Sequence, residues 1–243
     1  MKYLKYLFLV NILLVLSLAS GCKKSGKTQA ALAREEWITS LNDSIAEYQA
    51  TIDSCTSGLE RLHASLEEEL KDFTLVSNPR EVAGYYILDG WQSKYPLQKT
   101  GIVARISEDE GLEVVAVLSK GVFNHLKLEC ENETYISPVV PHDQALNYKT
   151  SEWNSVCFTG SAADSIAMFI ANHSNGKINL SFIENKTSGA FVVPQDEKAM
   201  ITSTWNLYKK RREVKELEKT MSLYSGKINA CRRILETNDT IKP

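Results

Sequence analysis

Apolar positions along the chain follow two rhythms, and the change from one to the other divides the sequence into three stretches. From about Ala31, the residues Ile38, Leu41, Ile45, Tyr48, Ile52, Cys55, Leu59, Leu62 and Leu66 succeed one another at steps of three and four, and Phe73 takes the next equivalent position. That spacing predicts a helix over residues 31–73 that packs along a narrow stripe. The rhythm returns in Val214, Leu217, Met221, Tyr224, Ile228, Cys231 and Leu235, and Leu207 and Met200 extend it backwards. Pro194 and Asp196 mark a helix start, so a second helix is predicted over 194–236, followed by a polar, frayed tail at 237–243.

Between them, over residues 74–193, the period changes to two. Gly101–Ile106 and Leu112–Leu118 flank Glu108-Asp109-Glu110-Gly111, the pattern of a β-hairpin. His125–Cys130 places Leu126, Leu128 and Cys130 on one face, and Trp153–Thr159 reads as a further strand. Ser161 with Asp164 three residues on resembles a helix cap, and Ala163, Ile166, Ala167 and Ile170 share one face of the short helix behind it. Ile178, Leu180 and Phe182 alternate next, and a turn at 185–189 leads into Ala190–Val193.

A narrow apolar stripe cannot stay in water, so each long helix needs a partner. The expected fold class is α+β: a mostly antiparallel sheet with a short helix, inserted at the tip of a long antiparallel helical hairpin that forms a coiled-coil stalk. The other solution is that each helix enters an intermolecular coil. The intervening stretch is long enough to hold its own core.

The first residues carry an address. Lys2 and Lys5 precede an apolar run from Leu7 to Ala19, too short for the roughly 20 residues that a stable membrane span takes. Leu18-Ala19-Ser20-Gly21-Cys22 resembles the lipobox of Gram-negative bacterial lipoproteins. The resemblance implies a signal peptide over 1–21, cleavage before Cys22, and lipid chains on the sulfur and new amine of Cys22, followed by a polar tether over 22–30. More than one chain makes such anchoring stable. Lys23-Lys24-Ser25 follows where an Asp would signal retention at the inner membrane. The resemblance therefore implies the periplasmic face of the outer membrane.

Composition narrows the function classes. The 243 residues carry 28 Lys+Arg against 30 Asp+Glu, a net charge of −2 that gives no concentrated basic face for nucleic acid. His63, His125, His142 and His173 lie at no metal-ligand spacing, and no motif of a P-loop or serine hydrolase occurs. No metal, cofactor or catalytic activity is implied.

With Cys22 lipidated, four cysteines remain for an oxidising compartment. Cys55 and Cys231 occupy equivalent positions of the two stripes and are either a disulfide or two small buried hydrophobes; Cys130 and Cys157 on strand candidates form a second, weaker pair. Tyr85, Tyr86, Trp91, Tyr95 and Trp153 cluster among Gly84, Gly90 and Pro96, so Trp91 and Trp153 are candidate ligand contacts as well as ordinary core residues. Asp43-Ser44-Ile45, Asp164-Ser165-Ile166 and Asp239-Thr240-Ile241 resemble the O-glycosylation motif of certain Gram-negative phyla.

The whole resembles bacterial lipoproteins that join a lipid anchor, a helical stalk and a small α+β head. It implies a non-catalytic, membrane-anchored interaction module with a protein partner in the cell envelope. The alternative is a ligand-binding lipoprotein with a glycan or peptide pocket in the head.

Overall fold

The computed structural model describes residues 26–77, 84–94, 97–109, 111–143 and 145–240. The signal peptide, Cys22 and the start of the tether lie outside these residues, as do Tyr95 and Pro96. The elements in chain order are α1 (Gly26–Leu70), β1 (Phe73–Val76), β2 (Tyr85–Leu88), a 3-10 turn (Gln92–Lys94), β3 (Gly101–Ser107), β4 (Leu112–Ser119), β5 (His125–Cys130) and β6 (Glu133–Ile136). Then follow β7 (Asn147–Lys149), β8 (Trp153–Thr159), α2 (Gly160–Asn172), β9 (Asn179–Ile183), β10 (Thr187–Val192) and α3 (Gln195–Thr240).

The strands make two antiparallel sheets, in the orders β1-β2-β3-β4-β8-β7 and β10-β9-β5-β6. The β3–β4 hairpin has the register Ile102↔Ala116 through Ile106↔Leu112, and the Ser107 N–H closes it on the Gly111 carbonyl at 2.9 Å. Strands β3, β4 and β8 are buried along almost their whole length, the signature of strands covered on both faces. In the second sheet burial alternates: Leu126, Leu128 and Cys130 of β5, with Leu180 and Phe182 of β9, point into the core.

Helix α2 packs on β4 and β8 through Ala163, Ile166, Ala167 and Ile170, all fully buried. Its start differs from the expected Ser161 cap. The helix begins at Gly160, whose φ of +57° suits glycine, with Thr159 as the capping residue, and Asp164 instead pairs with Arg212 at 3.0 Å.

The α+β class holds, but the helical hairpin stalk with a head at its tip does not. The chain divides into two compact units, one from Cys55 to Lys219 and the other joining the residues up to Ser54 with those from Thr220. The end of α1 and the first half of α3 therefore belong to the unit that carries both sheets. Leu66, Met200, Ile201, Leu207 and Val214 lie in the same hydrophobic cluster as the strands. The physical reason is the width of the buried stripe. A two-helix seam needs only steps of three and four, whereas α3 also buries Glu197, Lys198, Ile201, Thr204 and Trp205, the broad face of a helix on a sheet domain. The middle stretch is likewise two sheets rather than one.

Within the Cys55–Lys219 unit, a Cβ on Gly58 would lie 3.2 Å from Leu217, and Lys210 reaches the Ser65 hydroxyl at 2.7 Å and the Glu69 carboxylate. Within the other unit, the rings of Tyr48 and Tyr224 lie 5.4 Å apart, with the Lys227 ammonium 4.4 Å over Tyr224. Helix α1 starts at Gly26, inside the expected tether, and α3 runs on through the expected tail to Thr240. Among the described residues, no helix is long and apolar enough to cross a membrane.

Candidate functional site

Of the two alternatives for the cysteines, thiol or disulfide, the structure has thiols at Cys55, Cys130, Cys157 and Cys231. Cys130 lies in β5 and Cys157 in β8, strands of different sheets, so the sequence pairing that suggested a bridge is not a ladder pairing. Cys55 is buried as a small hydrophobe, the other reading of that position.

The two candidate tryptophans sit in different surroundings. Trp153 at the start of β8 is half-buried and meets the Tyr148 ring edge-on at 5.2 Å. A shallow hollow lined by Val122, His142, Asp143, Asn147, Tyr148 and Lys149 lies beside β7, and Trp153 does not line it. Its floor is shaped by Asp143, whose carboxylate accepts the N–H groups of Leu146, Ala145 and Asn147. These bonds hold the group below its ordinary pKa. Tyr85 and Tyr86 are covered by guanidinium groups, Arg105 at 4.3 Å and Arg211 at 5.1 Å, rather than offered as a platform.

Trp91 does line a cavity. It follows β2 through the turn Asp89-Gly90, where Gly90 takes φ +82° and donates its N–H to the Gln92 side chain at 2.7 Å. The Asp89 carboxylate accepts from the Thr74 hydroxyl at 2.5 Å and from the Gln92 amide at 2.9 Å, which fixes this turn to β1. The cavity, of about 350 Å³, opens between the segment after β2 and the start of α3. Trp91, Leu97 and Pro194 give it apolar surface; Lys94, Lys99, Asp196 and Glu197 give it charge. The Lys94 ammonium lies 4.3 Å from the Trp91 ring centre and 3.5 Å from the Asp196 carboxylate.

Glu197 is the unusual member. Only 3% of it is exposed, in the first turn of α3, where its apolar neighbours on the helix carry it into the core. Its Oε2 accepts the backbone N–H of Ile102 at 3.0 Å. Glycine at 101 lets the carboxyl come this close, since a Cβ there would stand 2.9 Å from Oε1. Burial disfavours the charged form and pushes the Glu197 pKa up to about 7. Asp196 adds to the rise; the Ile102 N–H, Lys99 and Lys94 oppose it without cancelling it.

The sequence did not announce Glu197, Lys94 or Lys99. The available signal was slight: two acids directly after Pro194, and two lysines bracketing Leu97 in an irregular segment.

Of the O-glycosylation-like motifs, Ser44 bonds the Ser40 carbonyl on α1 at 2.8 Å, Ile166 is core, and the side chains of Asp239 and Thr240 lie outside the described residues. Among the described residues, no three His, Cys, Asp or Glu side chains converge as a metal site requires. The chain matches no protein-family model, no curated protein and no solved structure.

Proposed function

We propose that this protein is a lipid-anchored binding protein of the cell envelope, whose sheet-bearing unit holds a small ligand in the cavity beside Trp91. The anchor rests on the lipobox-like run ending at Cys22. The observation that carries the binding reading is the buried Glu197 carboxyl, with a pKa near 7, in the wall of a cavity that also offers an indole and two ammonium groups. A cavity of about 350 Å³ that sets Trp91, Leu97 and Pro194 among charged and polar side chains is of the size that small ligands occupy. A perturbed titratable group within it marks functional sites more often than ordinary surface. The role proposed is binding, through the carboxyl, ammonium and indole groups that the cavity wall brings together.

Of the two functions the sequence suggested, the ligand-binding one therefore comes first. The other was an interaction module working through its head and a coiled-coil stalk; of these two parts, the stalk falls with the helical hairpin.

The test is ligand-observed NMR of the full chain with a panel of glycans, short peptides and small acids, repeated with Gln98→Trp. Gln98 is exposed at the cavity rim, so the bulky replacement obstructs the mouth without entering the core. Binding that the substitution removes supports the reading. Binding indifferent to it, or no binding by any panel member, rejects it.

A further inference from the structure

We infer that the ligand of the Trp91 cavity is a small monocarboxylic acid, bound by a hydrogen bond between the Glu197 carboxyl group and the ligand carboxylate, with Lys99 as the neighbouring cation. This rests on the reading of the cavity as a ligand site and specifies what it takes.

Charge is the first argument. The groups facing Glu197 are Asp196 on its own helix, Lys94 and Lys99 on the segment after β2, and the Ile102 N–H of β3. Lys94 already answers Asp196 and lies over the Trp91 ring. Lys99 is exposed and acts on Glu197 through its charge. With Glu197 neutral, the four ionisable side chains of the wall therefore leave one positive charge in excess, at Lys99, and a monoanion neutralises it.

The second argument is hydrogen-bond capacity. Oε2 of Glu197 accepts the Ile102 N–H and Oε1 lies against Gly101, so in the neutral acid the O–H is the group left to donate. A protonated carboxyl in a site sheltered from water donates most strongly to an ionised oxygen, and a carboxylate is the ligand group that receives it best. A neutral sugar hydroxyl or amide would leave the Lys99 charge unanswered. The third argument is the remaining wall. Trp91 and Leu97, exposed by only 7% and 4%, together with Pro194, form an apolar side that suits a ring or short hydrocarbon body behind the carboxylate.

The arrangement makes affinity depend on pH. When Glu197 loses its proton, two carboxylates face each other and repel, so binding weakens above the Glu197 pKa by about tenfold per pH unit. Below it the complex holds one proton that the free protein at higher pH lacks.

The experiment is isothermal titration of the full chain with benzoate and indole-3-acetate, and with their amides, from about pH 5.5 to about pH 8.5 in two buffers of different ionisation heat. The acids are expected to bind at least about tenfold more tightly than the amides. Their Kd should rise above about pH 7, with uptake of one proton on binding in the upper range. Glu197→Gln, which keeps a donor and an acceptor, is expected to bind the acids with the pH dependence removed. Lys99→Glu, an exposed change that leaves the fold alone, should weaken the acids by about tenfold or more and leave the amides unaffected.

Amides binding as tightly as acids, or acid binding that is flat with pH in the unmodified chain, overturns this inference and leaves the cavity reading standing. Acids that fail to bind while glycans or peptides do so overturn it in the same way. Failure of every ligand overturns both.

Discussion

Oε2 of Glu197 accepts the backbone N–H of Ile102 at 3.0 Å, across 95 residues of sequence. Two residues along the same strand, the Ala104 N–H meets the Met200 sulfur at 3.4 Å. Strand β3 pairs with β2 at its far end, through Ile106 and Ser107, and among the described residues this part of its edge has no neighbouring strand. Side chains from the first turns of α3 stand in for one. The alternate N–H groups of a strand, at i and i+2, are matched by helix positions three apart. An open strand edge is thereby closed without adding a strand.

The first prediction follows from the carboxyl in that contact. Burial pushes the Glu197 pKa from its ordinary value of 4.5, which holds in the unfolded chain, up to about 7 in the folded one, so between these values the native state holds the extra proton. Stability contributed by the protonated group is present below about 4.5, falls as pH rises through the window and is absent above about 7. The size of the shift corresponds to about 3 kcal/mol. Glu197→Gln should therefore be more stable than the unmodified chain at about pH 8.5 by up to this amount and about equal to it at pH 4. Glu197→Ala, which strips the Ile102 N–H of its acceptor, should be less stable at low pH by about 1–3 kcal/mol. Urea unfolding at four pH values checks all three chains; equal slopes with pH in the Glu and Gln proteins would refute it.

A second prediction concerns where the long helices do their packing. Leu207 on α3 is fully buried in the cluster of the sheet-bearing unit, whereas Leu223 on the same helix is 58% exposed. Leu207→Ala should destabilise the chain by about 2–5 kcal/mol. Leu223→Ala should stay within about 0.5 kcal/mol. Comparable losses from both would mean that α3 is buried evenly along its length.

The cysteines give a third. Since Cys55, Cys130, Cys157 and Cys231 are thiols, the melting temperature should be the same with and without reductant, and Cys55→Ser should shift it equally in both. Peptide mapping of the non-reduced chain that recovers any of these four in a bridge would contradict the structure.

The fourth tests the anchor. Cys22→Ser should release the protein from membranes and leave the thermal unfolding of the folded units unchanged. Continued sedimentation with membranes after a salt wash would remove the lipoprotein reading.

Local patterns were legible in the sequence, and long-range ones were not. The alternation Leu126, Leu128, Cys130 and the helix face Ala163, Ile166, Ala167, Ile170 correspond to buried positions residue by residue, because each reports one face of one element. Strands β1, β2, β6 and β7 passed unnoticed: at three or four residues they are too short for an alternation to stand out, and β1, β6 and β7 are largely exposed as well. The seam reading of α3 failed because Met200 and Leu207 fit a narrow stripe equally well, and only Ile201 and Trp205, off that stripe, betray the broad buried face. Trp91, which lines the cavity, was singled out in the sequence by its aromatic neighbours. Glu197 was not, since a buried acid looks in sequence like any helix-start acid until the distant strand that buries it is known.

The closing of the β3 edge by α3 also sets an order of events during synthesis. A chain made N-terminus first completes the β3–β4 hairpin long before Glu197 and Met200 exist. At typical elongation speeds, the 95 residues between Ile102 and Glu197 take roughly 5 to 20 s to appear. For that interval the nascent hairpin presents bare Ile102 and Ala104 amides along an apolar strand, an invitation to strands of other chains. In a chain made without its first 22 residues, which folds where it is synthesised, chaperone dependence and aggregation on overexpression should thus track how quickly the ribosome reaches the start of α3. They should respond to synonymous slowing of codons 103–196 with the amino-acid sequence untouched.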